Sequence, residues 1–338
     1  MASKVILLMN LGSPDSTSIK DLKKYLSEFL MDERVIDVPK LLRTILVKGI
    51  IVPFRSKGSS EKYKSVWTEE GSPLIVMTNQ LAEKVEAYSK LPTYVCMRYG
   101  KGAPKEVLAQ IVKDNPELEE VVFLPLYPHY AMSSYETAVS HVREAYSDLK
   151  LSCILKVVSP FYDNAQYIKN VAATLKPFLE KKHDHILFSY HGIPVRHVEK
   201  TDVTRSHCFK CENCCEIENE AHETCYNHQV KVTTNLVANE LSLSKDEYSV
   251  SFQSRLGTDK WLTPSTTDVL KTMPKKGIKD LIVLSPAFVT DCLETLQELH
   301  LEEKENFIEA GGNDFHVVPC LNADDGWVKT VNSLITNA

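Results

Sequence analysis

The chain has 338 residues, of which 43% are hydrophobic and 25% are charged, and its formal net charge is −6 at pH 7. This length fits two domains of ordinary size, and the composition is that of a globular protein with a sizeable core. The negative charge disfavours a general nucleic-acid binder, and no apolar run approaches the ~20 residues that a membrane helix needs. The first element, an apolar run at residues 5–9, is too short for the core of a secretory signal, so we expect a cytoplasmic protein.

Eight short apolar runs recur along the chain, with helical patterns between them. Strands that alternate with helices are typical of βαβ units and parallel sheets. The later runs repeat the spacing of the earlier ones, which indicates a duplication. We therefore predict an α/β protein of two similar, doubly wound Rossmann-like domains, residues 1–160 and 161–338, each with a four-stranded parallel sheet, facing each other across a cleft. The predicted strands are Val5–Met9, Thr93–Met97, Val121–Pro125, Cys153–Val158, Ile186–Ser189, Tyr248–Phe252, Leu281–Ser285 and Phe315–Pro319.

The turn after the first strand contains one glycine, Gly12, where a dinucleotide-binding loop would have three. A nicotinamide-dependent oxidoreductase is therefore disfavoured. The next segment, residues 30–54, is apolar with isolated cations such as Arg43 and Lys48. It is either a buried helix with a loop, or an apolar lip that contacts an apolar substrate or a membrane surface.

Polar and aromatic side chains follow several of the predicted strands. Arg98 and Tyr99 follow the second strand, and LYPHY at residues 126–130 follows the third. His191 closely follows the fifth predicted strand, within ILFSYHGIP. Ligands of open α/β sheets bind at the carboxyl ends of strands, so these groups suit a flat, anionic, partly apolar ligand. By itself His191 is either a structural histidine or a group that binds metal or accepts protons.

Five of the nine cysteines lie in one polar segment, residues 203–225. Its composition indicates an insertion before the next helix. Their spacing is C-x2-C-x2-C-C-x9-C. Four thiolates can close a zinc or an iron–sulfur site, and three nearby histidines leave a mixed Cys/His zinc site open. Loop thiols without a ligand are the remaining alternative. The five are Cys208, Cys211, Cys214, Cys215 and Cys225.

Three acidic residues follow the seventh predicted strand: Asp291, Glu294 and Glu298. On a helix this spacing places them on one face. They form either a solvated face or, because their strand belongs to the sheet of His191, an acid–histidine pair across a pocket.

Taken together, the separated motifs resemble the ferrochelatase family, whose members insert Fe²⁺ into a porphyrin. The resemblance runs from Asn10 to about Asn322. It implies two Rossmann-like domains with the porphyrin between them, and formation of protohaem from protoporphyrin IX with release of two protons. Alternatives within the fold are a coproporphyrin III ferrochelatase, a cobalt or nickel type II chelatase, and a non-catalytic haem or iron sensor. The motifs are NLGSP, GSPL, MRYG, LYPHY, FSYHGIP, FQSRLG, WLTP and DCLETLQE.

The resemblance also assigns roles to residues. His191 and Glu294 match the catalytic metal-site pair, and Asp291 and Glu298 match carboxylates that extend the metal site. The segment 30–54 matches the apolar lip, which implies peripheral contact with the inner face of a membrane. Positions that line the porphyrin in the family are Leu11, Arg98, Tyr99, Tyr130, Ser133 and Trp261.

The cysteine insertion departs from the plain family pattern but resembles a subset of ferrochelatases with a [2Fe–2S] cluster. We expect such a cluster, with structural zinc as the alternative. The expected ligands are Cys208, Cys211, Cys225 and one of Cys214 or Cys215. Because insertion of Fe²⁺ involves no net redox change, the cluster would have a structural or regulatory role.

Overall fold

Eight parallel strands form two four-stranded sheets in the computed structural model, which describes residues 3–255, 257 and 259–338. The strand orders are β2-β1-β3-β4 and β6-β5-β7-β8, so the second sheet repeats the topology of the first. The predicted fold class is thereby confirmed, and so are all eight predicted strands. Leu256 of the FQSRLG motif lies outside the described residues. The strands are β1 (Lys4–Ser13), β2 (Thr93–Gly100), β3 (Glu120–Pro125), β4 (Ile154–Val157), β5 (His185–His191), β6 (Tyr248–Gln253), β7 (Asp280–Leu284) and β8 (Asp314–Val317).

The central strand of each sheet is an uninterrupted apolar run because both of its faces are covered. Val5 to Met9 of β1 and Ile186 to Phe188 of β5 have no exposed surface. Burial on both faces is the usual state of strands in parallel sheets. The strands extend further than their apolar runs, since Gly12 pairs with Tyr99 at the end of β1 and His191 pairs with Gln253 at the end of β5. Pairing thus continues into the polar residues that follow each run.

The helices divide between two compact units. The first unit contains α1 (Ile19–Leu30), α2 (Lys40–Thr44), α3 (Val52–Lys64), α4 (Pro73–Ser89), α5 (Pro104–Asp114), α6 (Thr137–Asp148) and α12 (Asp325–Thr336), with π-helical segments at Ile45–Ile51 and Met132–Glu136. The second contains α7 (Ala165–Leu179), α8 (Val195–Thr201), α9 (Tyr226–Glu240), α10 (Thr266–Thr272) and α11 (Lys304–Glu309), a π-helix at Glu294–Glu303, and 3₁₀ turns at Glu220–Glu223 and Met273–Lys276.

The division between units differs from a single boundary after residue 160. The chain does pass from the first unit to the second between Ser159 and Pro160, but it returns at Asn322. The last helix, α12, packs against α4, where Lys84 binds the Ala323 carbonyl and the Asp325 carboxylate, each at 2.8 Å. The short segment Tyr127–Ala131 belongs to the second unit. The placement of both segments, the last helix and Tyr127–Ala131, depends on contacts between segments that are distant in sequence.

The segment predicted as either core or lip has both properties. Leu30, Val47 and Val52 are buried in a cluster with Tyr25 of α1. Other apolar side chains of α2, α3 and the π-helical turn between them are exposed: Leu41 (75%), Leu42 (54%), Ile45 (56%), Ile50 (52%) and Phe54 (80%). We call these five residues the apolar lip. No helix within the described residues is long and apolar enough to cross a membrane.

Candidate active site

His191 ends β5 and is half-buried. Its Nδ1 lies 2.6 Å from the carbonyl oxygen of Gly192. Because a carbonyl can only accept, Nδ1 carries the hydrogen in this contact, and the lone pair of the neutral ring is on Nε2. The strand end therefore presents an imidazole whose Nε2 can bind a metal or take up a proton.

The charge state of His191 follows from its surroundings. Burial lowers the pKa of His191, and the Glu294 charge and the Gly192 carbonyl only partly offset this effect. The lowered pKa means that the ring is neutral at neutral pH. A neutral imidazole is the form that accepts a proton or coordinates a metal ion.

The backbone after His191 is held by close packing. The Gly192 N–H donates to the Gln253 carbonyl at 2.8 Å. A Cβ at position 192 would lie 2.8 Å from that same oxygen and 3.3 Å from the ring of Trp261, so only glycine fits without a shift. The predicted porphyrin contact Trp261 is largely buried and forms a β-bridge with Pro194.

Two of the three predicted acidic residues lie on a π-helix, a form that occurs frequently at functional sites. Glu294 begins this helix and Glu298 follows four residues later, both half-buried. Four residues are close to one π-helical turn, which places these two carboxylates on nearly the same side. The Glu298 Oε2 accepts a hydrogen bond of 2.5 Å from Ser254, which directly follows β6.

Asp291 does not share that helical face, because the helix begins only after it. Its side chain is 4% exposed, and Oδ1 accepts hydrogen bonds from the Thr295 hydroxyl at 2.9 Å and the Cys320 N–H at 3.4 Å. The Asp291 carboxylate therefore braces the start of the π-helix that carries Glu294.

The sequence patterns predict no role for the thiol of Cys292. This side chain is buried and hydrogen-bonds with the Glu294 carboxylate, and the pKa of the Cys292 thiol is raised by burial and by the Glu294 charge. Its proton is therefore retained near neutral pH. The thiol is a donor that holds Glu294 in place.

In the first unit, Arg98 and Tyr99 both contact Asp32, a residue for which the sequence patterns predict no role. The Arg98 guanidinium binds the Asp32 carboxylate at 2.5 Å, and the Tyr99 hydroxyl donates to it at 2.8 Å. Thr137 donates to the same oxygen. Tyr99 is 1% exposed. Its hydroxyl faces Asp32, so we expect Tyr99 to support Arg98 and not to contact a porphyrin directly.

We expect Asp32→Asn to destabilise the protein by about 3–5 kcal/mol at pH 7, because it leaves the largely buried Arg98 charge without its carboxylate partner. Burial alone would raise the pKa of Asp32, but the hydrogen bonds from Thr137, the Arg34 backbone and Tyr99, together with the Arg98 charge, outweigh it and hold the pKa low. A lowered folded-state pKa stabilises the fold above the unfolded-state pKa. The difference between variant and wild type should therefore shrink as the pH falls below that value. Urea unfolding at several pH values measures it, with the exposed pair variant Glu61→Gln as a control of small effect.

The remaining predicted porphyrin contacts are distributed over both units. Leu11 packs against the buried cluster around Tyr25, and Ser133 is half-buried in the π-helical turn Met132–Glu136. In the second unit, Tyr130 is half-buried and its N–H donates to Gln229 at 2.7 Å. These side chains stay predictions as porphyrin contacts.

The cysteine insertion brings thiols together within the second unit. The Cys225 thiol hydrogen-bonds with those of Cys208 and Cys215, and Cys215 hydrogen-bonds with Cys214. These four side chains are buried, whereas Cys211 is exposed. The contact with Cys208 is the largest cause that raises the pKa of Cys225, to about 12. We call Cys208, Cys214, Cys215 and Cys225 the thiol cluster.

Backbone and amide donors point at the thiol cluster. The Phe209 N–H lies 3.4 Å from the Cys214 sulfur, and the Asn227 amide nitrogen lies 3.2 Å from the Cys215 sulfur. The His228 N–H lies 3.4 Å from the Cys225 sulfur. Donors of this kind stabilise thiolates and tune iron–sulfur centres.

The three nearby histidines contact peptide carbonyls. Nε2 atoms of His207 and His222 lie 2.6 and 2.9 Å from the Cys214 oxygen, and His228 Nδ1 lies 2.8 Å from the Cys215 oxygen. These nitrogens donate hydrogen bonds and brace the Cys214–Cys215 backbone. Within the part of the chain that the structure describes, no group of three or more His, Cys, Asp or Glu is spaced as a formed metal site.

Comparison with known proteins gives consistent matches over the whole chain. The family model described as Ferrochelatase matches residues 3–338. A ferrochelatase of Opitutus terrae is 47% identical over 325 residues, which cover 95% of this chain and 94% of the relative. A ferrochelatase of Pseudomonas entomophila is 41% identical over 340 residues and the full length of both chains.

A solved structure agrees at the level of the fold. SirB from Bacillus subtilis, determined with Fe³⁺, superimposes with a TM-score of 0.54 at 11% identity, over 99% of this chain and 94% of its own. The sequence matches favour an iron-inserting enzyme over a sensor of the same fold. The chain belongs to the ferrochelatase family, and it is an enzyme that inserts iron into a porphyrin.

Proposed function

We propose that this enzyme inserts Fe²⁺ into protoporphyrin IX beside His191 and Glu294, and so forms protohaem and releases two protons. The observation that carries the proposal is a neutral, half-buried imidazole whose pKa is affected by the charge of Glu294. Imidazole and carboxylate are both suitable ligands for Fe²⁺. A neutral imidazole also suits uptake of the protons that leave the pyrrole nitrogens.

In this mechanism the carboxylates have different tasks. Glu298 lies about one π-helical turn from Glu294. Fe²⁺ can therefore pass from the Glu298 carboxylate to that of Glu294 and then to His191. Asp291 has its Oδ1 engaged by Thr295 and the Cys320 backbone, so it keeps the helix start and Glu294 in position. Glu294 then holds iron while Nε2 of His191 binds it or accepts a pyrrole proton.

The apolar lip supports protoporphyrin IX as the substrate and peripheral membrane contact as the mode of its delivery. Leu41 and Phe54 are 75% and 80% exposed, with the cations Lys40, Lys48 and Arg55 between or beside the apolar side chains. Apolar side chains mixed with cations suit the surface of an anionic membrane. Protoporphyrin IX is the more apolar of the two candidate porphyrins and would partition there.

Steady-state insertion assays test the substrate. We expect kcat/KM for Fe²⁺ insertion to be at least about tenfold higher with protoporphyrin IX than with coproporphyrin III, since two fewer carboxylates must be desolvated at an apolar surface. A preference for coproporphyrin III would refute the substrate proposal. Competition of Fe²⁺ with Co²⁺ and Ni²⁺ in the same assay tests the metal.

The thiol cluster supports a resident [2Fe–2S] centre. Four thiols converge with N–H donors directed at three of their sulfurs, while the nearby histidines are engaged with peptide carbonyls. This donor set fits an all-thiolate centre better than a mixed Cys/His zinc site. We propose Cys208, Cys214, Cys215 and Cys225 as ligands, so exposed Cys211 is replaced in the predicted set. When bound, the cluster would cross-link the insertion to the start of α9.

A further inference from the structure

We infer that Tyr226 is a positioning residue that links the thiol cluster to His191. The inference rests on the proposed function, since it assumes that His191 acts on iron and that Cys225 holds a cluster. Tyr226 comes directly after Cys225 and is the first residue of α9. Its hydroxyl donates a hydrogen bond of 2.9 Å to the main-chain carbonyl of His191.

The first part of this link is the start of α9. Cys225 is the N-cap residue of α9, and its sulfur accepts the His228 N–H at 3.4 Å. Its carbonyl accepts the Gln229 N–H at 3.0 Å. Because Cys225 is also the thiol that contacts both Cys208 and Cys215, whatever binds the cluster fixes the first turn of α9.

The second part of the link is the phenol of Tyr226. The ring is 5% exposed and lies edge-on to His129, with ring centroids 5.8 Å apart. Because a carbonyl oxygen can only accept, the Tyr226 hydroxyl is the donor in its 2.9 Å bond to His191. A shift of the first turn of α9 therefore moves a donor that holds the His191 carbonyl.

The third part is the short distance between that carbonyl and the reacting ring. The peptide bond after His191 joins it to Gly192. The Gly192 carbonyl accepts the hydrogen bond from Nδ1 of His191, and the Gly192 N–H donates to the Gln253 carbonyl. A rotation of this peptide changes the direction of the imidazole. Tyr226 thus sets the orientation of His191 without contacting substrate.

The chain offers a matched control in Tyr190. Like Tyr226, it is a buried tyrosine that packs edge-on to His129, with centroids 5.5 Å apart. Its hydroxyl contacts Thr234 at 2.9 Å instead of the His191 backbone. Tyr190→Phe and Tyr226→Phe each remove one buried hydroxyl, and only the second breaks the link.

The test combines kinetics, hydrogen exchange and a double-mutant cycle on the full-length protein. Tyr226→Phe should lower kcat/KM for Fe²⁺ insertion about fivefold, the effect of one neutral hydrogen bond, with the visible spectrum of the cluster unchanged. It should also speed amide exchange in peptides that contain residues 190–193. Tyr190→Phe should leave kcat/KM and this exchange at wild-type values. Thermal unfolding followed by circular dichroism checks that both variants are folded.

Removing the cluster should act through the same bond. Cys225→Ser should speed exchange at residues 190–193, and adding Tyr226→Phe to it should lower kcat/KM by less than the factor seen in the wild-type background. Factors that multiply independently, or exchange at residues 190–193 unchanged in either variant, would overturn the link. The proposed function has a separate test: it fails if His191→Ala retains turnover, whatever Tyr226 does.

Discussion

His191→Ala is expected to lower the rate of Fe²⁺ insertion into porphyrin by about 10²–10⁴-fold, the range seen when a positioned proton acceptor is removed. The variant should still fold, because the Nδ1 hydrogen bond that it loses is to the carbonyl of the adjacent residue, Gly192. Steady-state turnover measures the loss, and the circular dichroism melting temperature checks the fold.

The control for this variant is His183→Ala, which removes a histidine in the turn before β5, where Nδ1 contacts the Lys181 carbonyl. We expect this variant to keep wild-type turnover. Wild-type turnover in His191→Ala would exclude His191 as either the iron ligand or the proton acceptor. Loss of turnover in both variants would point to a general effect of altering this part of the second unit.

The second large effect is expected at the thiol cluster. Cys225→Ser should remove the visible absorption of an iron–sulfur cluster from the purified enzyme, together with its iron and acid-labile sulfide. Cys225 contacts two other thiols, so its loss opens the centre of the cluster. Cys211→Ser should keep both signals, because Cys211 is exposed while the other four cysteines of the insertion are buried.

The outcomes separate three models of this site. Loss of the spectrum in Cys211→Ser would restore the sequence-based ligand set, with Cys211 and only one of Cys214 and Cys215. Zinc in place of iron and sulfide in the wild type would identify a structural zinc site. Retention of iron and sulfide in Cys225→Ser would contradict the central place of Cys225.

Much of the architecture could be read from local patterns. Runs such as Ile186–Phe188 are apolar because both faces of the strand are covered, and this pattern is present in the sequence whatever the strand pairs with. The position of His191 after such a run was enough to place it at the carboxyl end of a sheet. The exposure of the apolar lip was harder to predict, since apolar helical stripes usually face a core.

The parts that could not be predicted are contacts between distant segments. The sequence suggests that Arg98 and Tyr99 face a ligand. In the structure both side chains donate hydrogen bonds to Asp32, which lies 66 residues before Arg98. The acidic spacing suggested one helical face, but Asp291 precedes the helix and holds Thr295. A single boundary after residue 160 places the last helix in the second domain, whereas the helix packs on α4 of the first unit.

The sequence by itself determined the strands, the repeated topology, the candidate chemistry of His191 and Glu294, and the presence of a thiol-rich insertion. The strands, the topology and the insertion follow from burial periodicity and residue type, which are properties of short segments. The roles of His191 and Glu294 follow from the resemblance of the separated motifs to the ferrochelatase family. Only the tertiary structure decided which four cysteines converge, which carboxylate braces the π-helix, and that Tyr226 holds His191 from 35 residues away. The physical reason is that a side chain's partner, burial and pKa depend on which distant segments fold against it, and no local pattern specifies them.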